Sequence, residues 1–124
     1  MKTVESDLMR SGELVLINIA ECWGLTDAEL SQLFSARESD LEVASQYGLD
    51  PHNVTAIRVL RISSLLGIYR ALGILFPDPA QAFRWVRRQN SRPPFSGCTA
   101  LDYMIGGGLG SMIEVRRLLD AELV

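Results

Sequence analysis

The side chains that could do chemistry in this sequence are few and far apart. His52 is the one histidine, so a serine, threonine or cysteine nucleophile would have to find its general base there. It follows Pro51 in what reads as a helix start, no feature places a serine beside it, and the expectation is a solvated first-turn residue. Cys22 and Cys98 lack CxxC spacing, which removes a zinc ribbon or a thioredoxin-like pair and leaves two buried thiols as the reading. Glu38 and Asp40 lie on a charged helical stretch that reads as solvated surface, not as a desolvated pocket able to shift a pKa. Gly106-Gly107-Gly108-Leu109-Gly110 has the composition of a phosphate cradle. However, Ser111 stands where GxGxxG needs its third glycine, no strand precedes it and no GK[ST] follows, so it reads as a helix-helix turn. The expectation is no catalytic residue, no cofactor, no metal and no enzyme.

Arginine is the more informative residue type. Residues 1–47 hold three basic and nine acidic side chains, a net charge of −6, whereas residues 48–124 hold nine arginines against six acids, a net charge of +3. Every basic residue of the second half is arginine, whose planar fork favours bidentate contacts over mere solubility. Arg87, Arg88 and Arg92 fall near Trp85 and Phe95, a composition enriched in binding hot spots. For Arg87, Arg88, Arg116 and Arg117, solvated surface and partner contact stand as equal alternatives.

The elements that must position these residues are all helical. With 48% hydrophobic and 22% charged residues, the 124-residue chain is long and apolar enough to fold around a core. No stretch shows period-two alternation between hairpin turns. A first helix is expected over Glu13–Trp23, closed by Gly24. Thr26-Asp27-Ala28-Glu29 fits a capping box and opens a second helix, which stops near Ser35-Ala36; a third runs from Arg37 to Tyr47-Gly48. Asp50-Pro51 reads as the N-cap and first residue of a central helix reaching Phe76, apolar around nearly its whole circumference. A homodimer or another partner could cover one side of it. Asp78 caps a fifth helix ending near Asn90, residues 91–97 form a loop, and Thr99 caps a sixth helix that glycines 106–108 close. A last helix covers about Leu109–Leu123. The expected division is 1–49 and 50–124. The most apolar stretch, Ile62–Phe76, is broken by Arg70 and too short to span a bilayer, and Met1–Arg10 carries four charges where a leader would be apolar. A cytoplasmic protein without membrane partners is expected.

The first three helices have the outline of a helix-turn-helix. Arg37, Ser39 and Gln46 are the residues that would meet DNA, yet the recognition stretch Arg37–Tyr47 sets Glu38, Asp40 and Glu42 against one arginine. Phosphate neutralisation is the main source of DNA affinity, so this charge argues for a helical packing layer over operator binding.

The second half carries a resemblance. Its residues are Arg61-Ile62-Ser63-Ser64-Leu65-Leu66-Gly67-Ile68-Tyr69-Arg70-Ala71-Leu72, Trp85 with Asn90, Phe95-Ser96-Gly97-Cys98-Thr99-Ala100-Leu101-Asp102-Tyr103-Met104, and Val115-Arg116-Arg117-Leu118-Leu119-Asp120-Ala121. Trp85, Asn90, Gly97, Thr99 and Leu101 are the motif positions, read as helix anchor, turn residues, cap and core. In this order and spacing the series resembles the toxin-binding domain of the Xre/MbcA/ParS antitoxins. The three N-terminal helices stand where members carry an Xre-like helix-turn-helix. Three departures stand out: Ala100 where the family commonly has proline, the acidic recognition stretch, and Glu122-Leu123-Val124 in place of a glycine-rich ending.

The resemblance implies an all-α antitoxin of a type II toxin-antitoxin system. Such a protein binds a RES-domain, NAD-consuming toxin, blocks its NAD cleft sterically, and in many members represses its own operon. Arg87, Arg88, Arg92, Phe95, Arg116, Arg117, Leu123 and Val124 are the candidate toxin contacts. An Xre-type regulator without a toxin and a homodimeric helical scaffold are the alternative readings.

Overall fold

The computed structural model describes the backbone of residues 4–124 and the side chains from Leu14 onward. The charges of Lys2 and Arg10, and the side chains of the leader reading, lie outside the described residues. Seven helices follow one another: α1 (Val4–Trp23), α2 (Asp27–Phe34), α3 (Ser39–Gln46), α4 (Val54–Leu75), α5 (Pro79–Arg87), α6 (Ala100–Gly107) and α7 (Leu109–Glu122). No strand occurs among the described residues, only an isolated bridge between Gln89 and Thr99. The fold is all-α, as expected.

Short polar side chains set the helix starts. Thr26 accepts from the Glu29 amide while the Glu29 carboxylate accepts from the Thr26 amide, a complete capping box for α2. Asp78 caps α5 with Pro79 as its first residue, and Thr99 accepts from the Asp102 amide to cap α6. The Asp50-Pro51 start is corrected. Asp50 accepts from the His52 amide and the Asn53 amide bonds the Asp50 carbonyl, so these residues form a turn, and Asn53 caps α4 by accepting from Ala56. Asx side chains close such turns as readily as they cap helices. His52 therefore sits, exposed, in that turn. α1 begins nine residues before Glu13, and α5 stops at Arg87, three residues short of Asn90, because the chain turns there into the α5–α6 loop.

α4 is the axis of the molecule. Ile57, Ile62, Leu65, Ile68, Ala71 and Leu72 are buried along it, and α1, α2, α3, α5 and α7 all pack against it. The chain's own helices thus account for its all-round apolarity. Leu16, Ile19 and Trp23 of α1, Val86 of α5 and Met112, Val115 and Leu119 of α7 complete one continuous core, which crosses the expected 49/50 division. α4 and α7 run side by side in the same direction, so that Gly67 meets Arg116 while Ile74 and Leu123 line one cavity further along. Among the described residues no helix is long and apolar enough to cross a membrane.

Candidate functional site

The stretch that carries the motif folds into a braced loop between α5 and α6. The Asn90 amide donates to the Cys98 carbonyl at 3.1 Å, and the Gly97 amide returns to the Asn90 carbonyl at 2.7 Å. The Asn90 side chain accepts from the Arg92 amide at 3.0 Å, an Asx turn. Gly97 takes a φ of +98°. Inside the loop Phe95 stands edge-on between two other rings, 5.8 Å from Trp85 and 5.5 Å from Tyr103. Phe95 is 1% exposed, which corrects its assignment as a toxin contact: it is the core plug of the loop, and Trp85 is half-buried against it. Leu101, in the first turn of α6, is buried. Cys98 is exposed and Cys22 half-buried, so neither is the fully buried thiol expected. Burial raises the Cys22 thiol above its usual range, and a hydrogen bond to Glu114 does the same for the Tyr103 phenol.

At the far end of α4 and α7 the surface becomes apolar. Ile74 is 65% exposed and Leu123 39%, with Val124 following. A cavity of about 210 Å³ lies between Gly67, Arg70, Ile74, Arg116, Asp120 and Leu123, and one of about 160 Å³ between Phe76, Trp85, Arg92, Leu118 and Glu122. Arg116 lies across α4 at Gly67, where any side chain would collide with it; it donates to the Ser63 carbonyl at 3.2 Å and approaches Asp120 at 3.7 Å. Arg92 pairs with Glu122 at 3.2 Å in an exposed bridge. Of the sequence candidates, Arg116 and Leu123 line the first cavity, with Val124 exposed beyond it, and Arg92 lines the second.

The other candidate arginines go elsewhere. Arg88 follows α5 with an exposed side chain. Arg117 donates to the Tyr47 hydroxyl at 2.7 Å, along the seam between α3 and α7. Arg87 turns inward: its guanidinium donates to the Trp23 and Gly24 carbonyls at 2.8 and 2.7 Å and to Glu29 at 2.8 Å. This corrects the picture of Arg87 in a cluster with Arg92 and Phe95, because its donors close the C-terminal end of α1. The Thr26 amide and, after the opposing effect of burial, Arg87 hold the Glu29 carboxyl below its ordinary range.

Of the candidate DNA contacts, Ser39 and Gln46 are exposed on α3. Arg37 is not free, since its guanidinium donates to the Ile105 and Gly106 carbonyls at the end of α6. Asp40, expected on the solvated surface, is 1% exposed and bonded to the equally buried Arg61 at 2.7 Å. Its other oxygen accepts from the Leu109 amide at 3.0 Å, and the Arg37 amide donates to it at 2.9 Å. Burial alone would raise the Asp40 carboxyl, but the bonds from Arg61, Leu109 and Arg37 hold it below the usual value. Arg61 also donates to the Gln32 and Leu33 carbonyls at the end of α2. The sequence did carry a signal for this pair. An arginine amid the apolar run Val59–Leu72 needs a buried counter-charge, and Asp40 supplies it.

Among the described residues no group of three or more His, Cys, Asp or Glu could hold a metal ion. Residues 71–122 match the family described as the antitoxin Xre/MbcA/ParS C-terminal toxin-binding domain, leaving Arg61–Arg70 of the resembling stretch outside the match. The chain is 35% identical over 105 residues to the uncharacterized protein y4oB of Sinorhizobium fredii (strain NBRC 101917 / NGR234), covering 84% of this chain and 78% of that one. No solved structure matches significantly.

Proposed function

The chain belongs to the family of the antitoxin Xre/MbcA/ParS C-terminal toxin-binding domain, and we propose that it neutralises a RES-domain, NAD-consuming toxin by covering the toxin's NAD cleft. The observation that carries this reading is the surface at the end of the matched segment. Ile74, Leu123 and Val124 form an exposed apolar patch with Arg70 and Arg116 beside it, and Arg92 lines the second cavity with Trp85 and Glu122. An apolar centre with an arginine rim is the composition of a protein-binding hot spot. Arg88 extends the rim from α5; Arg117, on the α3 side, belongs to a second flank. Inhibition needs no chemistry from the antitoxin, only that this face occlude the cleft.

Co-expression with a RES-domain toxin tests the proposal. The two proteins should co-purify and the toxin's NAD consumption should fall in the complex. Ile74→Asp and Leu123→Asp should each weaken co-purification at least about tenfold while leaving the unfolding midpoint unchanged, because surface changes away from packed groups move stability little. Wild-type protein that fails to co-purify, or a complex that still consumes NAD, refutes it.

Operon repression is a lesser part of the reading. With Arg37 bound to α6, the exposed charges of α3 are Glu38 at its start and Glu42, which repel phosphate. A gel shift on the operon's own promoter, steeply weakened by salt, would restore it.

A further inference from the structure

α6 ends and α7 begins at a single glycine, Gly108, with φ +67°, which as the N-cap of α7 has no side chain to offer the first amides. α6 likewise has no basic residue in its last turn. Both deficits are met from α3 and the residues just before it, some seventy positions earlier in the chain. Asp40 accepts from Leu109, the first residue of α7, and places a carboxylate at that helix's positive end. Arg37 donates to the Ile105 and Gly106 carbonyls at the negative end of α6. Arg61 holds Asp40 in place at 2.7 Å and fastens the end of α2 to the same point. The fit is close: a Cβ on Gly108 would lie 2.9 Å from Asp40 Oδ1 and 3.0 Å from Arg61 Nη2.

We infer that Asp40 and Arg61 are positioning residues for the α6–α7 elbow, so that the binding unit of this chain reaches back beyond residue 71 to take in α2 and α3. The helix-turn-helix outline of the N-terminal layer then serves as a bracket that sets the direction of α7. The patch at Ile74 and Leu123 depends on that direction, because Leu123 is carried by the end of α7. That it is a toxin which the patch meets rests on the function proposed above; the bracket itself does not.

Hydrogen exchange on the full-length protein tests it. Asp40→Ala should speed exchange of the Leu109–Ile113 amides at least about tenfold, while amides in the middle of α4 keep their protection. Asp40→Asn, which retains an oxygen for the Leu109 amide, should recover most of that protection. Glu42→Ala, on an exposed position of the same helix, should change neither. Arg37→Ala removes the α6 contacts from a half-exposed position without touching the buried pair, and should loosen Gly108 and Leu109 even if Asp40→Ala unfolds. Loss of protection confined to α2 and α3, with the elbow as slow as in the wild type, would overturn the inference. In parallel, Arg37→Ala should weaken binding of a RES-domain toxin about tenfold with helicity intact, whereas Asp40→Asn, which keeps the elbow closed, should bind nearly as well as the wild type. If wild-type protein binds no such toxin, the proposed function falls and the exchange result still stands.

Discussion

Three arginines of this chain act on helix ends remote in sequence: Arg87 on the C-terminal carbonyls of α1, Arg61 on those of α2 and Arg37 on those of α6. None of these helices carries a basic residue in its own last turn, so a guanidinium fork from elsewhere in the chain takes up the orphan carbonyls. That arginine mattered was legible in the sequence. Which arginines face a partner was not, because a guanidinium that caps a helix and one that awaits a ligand have the same local spacing. Phe95 was misassigned for the same reason, since an aromatic in a Pro-rich loop reads as surface until two rings close on it. Phe95→Ala should lower stability by about 3–5 kcal/mol, the range for emptying a packed aromatic site, and Arg88→Ala should stay within about 0.5 kcal/mol, both read from urea midpoints. The carboxyls of Asp40 and Glu29 are lowered in the fold below their ordinary values of 3.8 and 4.5. Their contribution is therefore fully present above those ordinary values and is lost as pH falls through the lower, folded ones. The urea midpoint should hold steady near neutral pH and decline in acid, and Asp40→Asn should flatten part of that decline.

At the scale of elements, what the sequence predicts well is what is settled within four residues. The Thr26 capping box, the Asp78-Pro79 start and the Thr99 cap depend on local hydrogen bonds and are found where the pattern puts them. Asp50-Pro51 is equally local but ambiguous, because the same two residues satisfy a turn, and only Asn53 three positions on decides the start of α4. The α6–α7 elbow was legible as a glycine-rich turn, while its anchoring was not, since its partner lies on α3. A pair of substitutions separates those two aspects. Gly48→Ala and Gly108→Ala both put a side chain at positive φ, +76° and +67°, with Gly108 further strained by its ψ of −143°; a Cβ at Gly48 meets nothing within 4 Å, and one at Gly108 meets the buried ion pair. Strain alone should lower stability by roughly 1 kcal/mol at Gly48. Gly108→Ala should lose at least about twice that, and the difference should shrink when Asp40 is also replaced by Ala, a coupling that a double-mutant cycle reads directly.

For the molecule as a whole, the charge changes sign near residue 47, and the packing crosses that boundary. α1 buries Leu16, Ile19 and Trp23 against α4 and α5, α2 meets α6, and α3 meets α7, so every N-terminal helix touches the segment that matches the toxin-binding family. The charge boundary was visible in the sequence because surface composition is a local property, and the same acidic charge pointed to a packing layer; which helices that layer meets was not visible, because contact between distant helices leaves no spacing to read. The two tryptophans give a direct measure of which description holds. Trp23 is wholly buried in the N-terminal layer and Trp85 half-buried beside Phe95 in the C-terminal one. Trp85→Phe leaves Trp23 as the sole reporter of the first, and Trp23→Phe leaves Trp85 for the second. If α1–α3 and α4–α7 fold as one cooperative unit, fluorescence in each variant should give a urea transition that coincides with the loss of helical circular dichroism in the same variant. A Trp23 signal that is lost well before the helical signal of the same protein would mean that the N-terminal layer detaches on its own. The antitoxin surface would then have to stand without its bracket, and the unit to test against a toxin would begin near α4.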